Sequence, residues 1–166
     1  MNLCVFQKER YRYEWKKSGP LELIMQFARD LKHCRQRITK GYCDPGVWEM
    51  FAWKLTVIPN ALETLKENHL GHPAEFANVE DGDKQWEQVL AEMIRLFREA
   101  DEDFCSKKNP YEDKWIKELE IHDFKRTLSD LDRKHLEAEK ELFIYRNESK
   151  DEAFVLFSKW FFSLWD

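Results

Sequence analysis

Phe154-Val155-Leu156-Phe157-Ser158-Lys159-Trp160-Phe161-Phe162-Ser163-Leu164-Trp165 is the stretch around which the rest of the chain must fold, because only Ser158, Lys159 and Ser163 in it are polar. Wound as a helix, the segment is apolar nearly all round, a pattern that belongs in the middle of a bundle or at an interface. Each aromatic removes roughly 150–250 Å² from water when buried, so a contiguous group of this size is seldom left in solvent. The expectation is a C-terminal core helix wrapped by the other elements. The run is too short to span a bilayer and carries Lys159 near its middle, so no membrane association is expected.

Immediately upstream, Tyr111 to about Arg146 contains neither Pro nor Gly. Ile121, Phe124, Leu128, Leu131, His135, Ala138, Leu142 and Tyr145 recur at alternating steps of three and four, which is a heptad seam. The spacing predicts one long helix over about 110–146. Its partner helix lies in the same chain or in a second copy, so a homo-oligomer through the 121–145 seam is one of two open readings. Asn147-Glu148-Ser149-Lys150 is either a hinge or a polar turn within a continuous rod.

Further toward the N-terminus, Trp86, Val89, Leu90, Met93, Ile94 and Phe97 give an apolar stripe to a helix from about Lys84 to Phe104. A loop covers 68–82. Before it, Val47–Asn68 directs Trp48, Phe51, Ala52, Leu55, Ile58, Leu62 and Leu65 inward, and Pro59 predicts a kink near Leu55 or two helices in series. Leu21, Ile24, Phe27, Ala28, Leu31 and Ile38 mark another helix, with Pro20 in its first turn and Gly41 ending it. Asp44 is read as the N-cap of the helix that follows. The fold class is all-α: a helical bundle of about five helices, with residues 19–166 as one helical domain and residues 1–18 as a separate basic and aromatic segment with an extended pattern.

At 166 residues the chain is long enough to bury a core without staples, and its 36% charged and 14% aromatic composition describes a bulky interior under a solvated exterior. Met1–Phe6 is followed at once by Gln7-Lys8-Glu9-Arg10, which does not read as a secretory leader. Cys4, Cys34, Cys43 and Cys105 show no paired spacing and are read as reduced thiols of a cytoplasmic protein. Net charge is −5, unevenly spread: residues 1–40 carry ten Lys/Arg against four Asp/Glu, while the remainder is acidic. An acidic majority argues against general nucleic-acid binding.

Within the basic portion, Arg10, Tyr11, Arg12, Tyr13, Trp15, Lys16 and Lys17, together with Arg35 and Arg37, are candidate nucleic-acid contacts, since interleaved bases and aromatics neutralise phosphates and stack on bases. Packing of the aromatics onto the bundle is the preferred reading. Glu80, Asp81 and Asp83, with Asp101, Glu102 and Asp103, are candidate contacts to a protein partner. His69-x-x-His72 offers two imidazoles but no evident third and fourth ligand, so no metal is assigned. His122-Asp123 matches the dipeptide of all-helical metal-dependent phosphohydrolases, whose further Asp would have to be Asp130 or Asp132. Glu99 with Glu102 and Asp103, and Glu118 with His122, have the spacing of magnesium-binding carboxylates, although a solvated helix face explains them as well. There is no strand-to-helix nucleophile and no glycine-rich phosphate loop, so neither a catalytic residue nor a cofactor is expected.

Arg37-Ile38-Thr39-Lys40-Gly41-Tyr42, Val47-Trp48, Pro59, Gly71-His72-Pro73, Trp86-x-x-Val89-Leu90-x-x-Met93-Ile94-x-x-Phe97 and Leu156-Phe157-x-x-Trp160-Phe161-x-x-Leu164-Trp165-Asp166 together resemble a family of uncharacterised small helical proteins encoded by bacteriophages and prophages. The resemblance covers about 35–105 and 152–166. It implies a phage origin and residence in host cytoplasm, and transfers no catalytic residue. The function expected is that of a non-enzymatic accessory protein that binds a host or phage protein, such as a defence factor. The alternatives are nucleic-acid binding through residues 8–40 and metal-dependent phosphohydrolysis.

Overall fold

The computed structural model describes residues 19–44, 47, 50–78, 80–121 and 128–165. All regular structure among them is helical: α1 is Pro20–Lys40, α2 Met50–Asn68, α3 Gly82–Ala100, α4 Glu112–Ile121 and α5 Asp130–Trp160. Short 3-10 turns cover Ala74–Phe76 and Phe161–Ser163. The all-α expectation holds. The chain divides into two compact units, Met1–Thr56 and Val57–Asp166.

In the first unit, Pro20 occupies the opening turn of α1 and Gly41 closes it in the left-handed conformation, φ 78°, donating its N–H to Arg37 O. Both features follow from the sequence, since proline loses nothing where the first N–H groups are unpaired and glycine adopts positive φ freely. Asp44 is tied back to α1, its carboxylate accepting from Lys32 Nζ at 3.0 Å and its N–H donating to Gln36 Oε1. In α2, whose residues from Val57 on belong to the second unit, Pro59 is buried and the helix runs on through it, so one helix replaces the two in series. Phe51, expected inward, is largely exposed.

The second unit is built on α3 and α5. Trp86, Leu90, Met93 and Phe97 lie on one side of α3 and are completely shielded from solvent or nearly so. Facing them, α5 offers Ala153, fully buried, with Ser149 and Trp160. The two helices are antiparallel. Trp86, early in α3, meets Trp160, late in α5, edge-on at 5.5 Å. Phe97, late in α3, meets Phe154 at 5.3 Å and Phe157 at 5.9 Å. Phe76 of the 3-10 turn stacks on Trp160 at 5.3 Å and closes the end of this core. The close approach of Gly82 belongs to the same end: a Cβ there would lie 2.8 Å from Phe76 O and 2.8 Å from His72 Nε2.

Two sequence expectations are corrected here. The long helix does not start near 110 but at Asp130, where Ser129 and Asp132 form a reciprocal capping box. It then continues through 147–150 without a hinge to Trp160, so the seam and the aromatic ending are one rod. Second, the ending is not wrapped on all sides. Trp160 is buried, but Val155, Phe161, Phe162 and Trp165 are more than half exposed. One helix packed against α3 can hide only the side chains on its inner side.

Candidate interaction surfaces and a His–Glu cluster

Along the seam, His135 and Leu142 are buried and Leu131, Ala138 and Tyr145 half-buried, on a helix that packs against α4 and α3. Of its remaining positions, Leu128 is exposed, and the side chains of Ile121 and Phe124 lie outside the described residues.

Where α4 meets α5, several polar groups converge. His135 is buried, its ring stacked on Trp115 at 4.2 Å with an interplanar angle of 9°, and its Nε2 lies 2.6 Å from Glu112 Oε2. Asn109 Nδ2 donates to His135 O and to Glu139 Oε1, while its own Oδ1 accepts from Tyr111 N at the entry to α4. Trp115 Nε1 donates to Asp132 Oδ1 at 2.8 Å, and Asp132 Oδ2 accepts from Ser129 N.

Glu112, His135 and Glu139 place one ligand atom each within 4.8 Å of one another, which raises the question of a metal. The imidazole argues otherwise. Its short contact to a carboxylate puts the proton on Nε2, and ligation through Nε2 would move that proton to Nδ1, a buried nitrogen with no hydrogen-bond partner. Metal-bound histidines normally donate their second N–H to an acceptor, and an unsatisfied buried donor costs about 1–3 kcal/mol. The cluster therefore reads as a brace holding α4 to α5.

A second network centres on Glu99. Its Oε2 accepts from Ser106 N at 3.1 Å, Ser106 Oγ at 2.9 Å and Tyr145 OH at 3.1 Å, with Cys105 Sγ at 3.6 Å. Burial alone would raise this carboxyl, but the hydrogen bonds from Ser106, Tyr145 and Cys105 outweigh it and hold the group below the ordinary glutamate value. Burial, and then the neighbouring Glu99 charge, push the Cys105 thiol and the Tyr145 hydroxyl up. Glu99 thus ties the loop after α3 to α5, and among the described residues its carboxylate does not cluster with those of Glu102 and Asp103. Those two residues are exposed in the turn that follows the helix.

The other expected site residues are dispersed. Glu80, Asp81 and Asp83 flank the start of α3, whereas Asp101, Glu102 and Asp103 follow its end. A 19-residue helix separates the two groups by roughly 28 Å, so they do not make one acidic patch. Asp81 pairs with Lys84 at 3.0 Å and Asp83 with His72 at 2.7 Å, while Asp101 is buried and accepts from Asp103 N. His69 Nδ1 bonds to Gly71 O and its Nε2 lies 3.8 Å from Glu87, so His69 and His72 serve different partners. Asp130 is exposed and lies 4.0 Å from Arg133, and Asp132 is engaged by Trp115 and the helix cap. His122, Asp123, Arg10, Tyr11, Arg12, Tyr13, Trp15, Lys16 and Lys17 lie outside the described residues. Arg35 is exposed on α1 and Arg37 half-buried.

What sequence reasoning missed is the state of α1. Leu21, Ile24, Phe27, Leu31 and Ile38 form the stripe that periodicity predicted, yet each is more than half exposed. Arg29, Arg35 and Lys40 stand among and beside them. No helix among the described residues is long and apolar enough to cross a membrane. No family model, curated protein or solved structure matches the chain.

Proposed function

We propose that this is a phage-type accessory protein that works by binding another protein, a host or defence component, and that α1 is its principal contact. One observation carries the reading: five large apolar side chains, Leu21, Ile24, Phe27, Leu31 and Ile38, stand in water along one side of a regular 21-residue helix. A contiguous exposed stripe is the usual mark of a docking surface, and an amphipathic helix with anchors at three- and four-residue steps suits a hydrophobic groove in a partner. Arg29, Arg35 and Lys40 favour a groove with an acidic rim. The resemblance of the chain to small phage-encoded helical proteins supports the setting. Glu99, Glu112, His135 and Glu139 are engaged in bracing helices, in agreement with a binding role.

The test uses the full chain as bait in nuclease-treated lysate from phage-infected cells, beside a variant with Phe27→Asp and Leu31→Asp. The expected outcome is a host protein held by the wild type and lost with the variant, while the thermal unfolding midpoints of the two agree. Equal capture by both baits would remove α1 from the interface. A catch that disappears on nuclease treatment would favour the nucleic-acid reading, to which exposed Arg35 on the same helix lends support.

A further inference from the structure

α5 carries a second exposed apolar stripe, beside the side that packs on α3 and touching it at Phe154, whose ring meets Phe97. Leu136, Phe143 and Phe154, with Phe161 at the C-cap of the helix in αR conformation, fall within about 20° of one another around its axis at 3.6 residues per turn. The buried line of Leu142, Ser149, Ala153 and Trp160 lies roughly 110° away. Leu136, Phe143 and Phe161 are more than half exposed, and Phe154 over a third. Ile144, Val155 and Phe162 extend the exposed surface on the adjoining strip.

The steps along this stripe are seven, eleven and seven residues, so the pattern is the same read in either direction. An isologous two-fold interface demands this property, because each patch must complement itself when the partner helix runs the opposite way. If two copies of α5 pair antiparallel about the level of Glu148 and Ser149, Phe143 of one falls opposite Phe154 of the other, and Leu136 opposite Phe161. Asn147, Lys150 and Asp151 occupy the centre. Lys150 bonds Asn147 and Asp151 of its own chain, and antiparallel pairing brings it to the level of the same two residues of the other copy, so that these pairs can be shared across the two-fold axis.

From this we infer that the chain self-associates through α5 as a two-fold, antiparallel dimer. The partly exposed aromatics and leucine would lose on the order of several hundred Å² per copy, given roughly 150–250 Å² for a fully buried aromatic. Doubled, that falls below the roughly 1,200–2,000 Å² of standard specific interfaces, in the range of weak, transient contacts, and makes the dimer reversible. The seam within 121–145 takes no part in it, since its described apolar positions past Leu128 pack against α3 and α4 of the same chain.

Sedimentation over a micromolar concentration series should show the molar mass rising from 20.2 kDa toward twice that value. Phe143→Asp should hold it at the monomer while leaving the circular dichroism spectrum and unfolding midpoint unchanged. The register is read by cysteine pairs. Under mild oxidation, Phe143→Cys with Phe154→Cys should give a disulfide-linked dimer, and Phe143→Cys alone should give no more than wild type. Within one chain those two positions are eleven residues apart on a helix, about 16 Å, too far to bridge. A wild-type chain that stays monomeric throughout, a dimer indifferent to Phe143→Asp, or efficient crosslinking by Phe143→Cys alone would each overturn the inference.

Discussion

α1 and α3 are written in the same code and meet opposite fates. Each is a regular amphipathic helix of about twenty residues with large apolar side chains at three- and four-residue steps. On α3, Leu90, Met93 and Phe97 are wholly excluded from water, whereas on α1, Phe27 is 65% and Leu31 56% exposed. Nothing in the periodicity distinguishes them. The difference is that α5 lies antiparallel along α3 with Ala153 buried between them, while the stripe of α1 has no such cover among the described residues. An apolar stripe announces a surface to be buried, and the identity of the covering partner decides whether it becomes core or interface.

The contrast is most exposed to refutation through Phe97 and Phe27. Phe97→Ala should cost about 3–5 kcal/mol of unfolding free energy, the usual penalty for emptying a packed aromatic site. Phe27→Ala should cost no more than about 0.5 kcal/mol, as exposed positions do. Urea titration of both variants measures the pair, and a loss above about 2 kcal/mol for Phe27→Ala would mean that the α1 stripe is packed in solution.

Gly82→Ala should come next, at about 1–3 kcal/mol, because its Cβ meets a backbone oxygen, Phe76 O at 2.8 Å, that cannot step aside as a side chain can. Retention of the wild-type melting temperature would show the 72–82 turn to be looser than its contacts imply.

Tyr145→Phe should cost about 1 kcal/mol by removing the hydroxyl that donates to Glu99. The same network sets a pH dependence. The folded-state value of Glu99 lies below its ordinary 4.5, so its contribution to stability is present above about pH 4.5 and is lost as pH falls through the lower folded value. Glu99→Gln should therefore lose less stability than wild type between about pH 5 and pH 3 in a thermal denaturation series. Parallel pH curves would show that the carboxylate is not held by Ser106 and Tyr145 in solution.

The smallest effect on stability is expected for Leu31→Ser, within about 0.5 kcal/mol, with a large loss of partner capture. A variant that unfolds more readily and binds as before would reverse the roles assigned to α1 and α3.

Much of the architecture could be read directly from residue order. The Trp86–Phe97 stripe, Pro20 and Gly41 at the two ends of α1, and the breaks near 68–82 and 106–110 all express local rules of periodicity and capping. Ser129-x-x-Asp132 is a capping-box signature that marks the start of α5 within an otherwise continuous seam. The contacts of His135 with Glu112, of Asn109 with Glu139 and of Glu99 with Tyr145 join residues 23, 30 and 46 positions apart, and no local pattern foretells them. The acidic groups 80–83 and 101–103 looked like one kind of surface because charge is visible in a sequence and distance is not.

Sequence by itself determined that this chain is helical, where its helices carry apolar stripes, and how several of them end, because those properties depend on neighbours within a few residues. Only the tertiary structure decided which stripes are covered, which carboxylates are engaged, and that the aromatic C-terminus shows one side to α3 and the other to water. Those outcomes depend on which helices meet, and a helix records that it has an apolar side without recording what will lie against it.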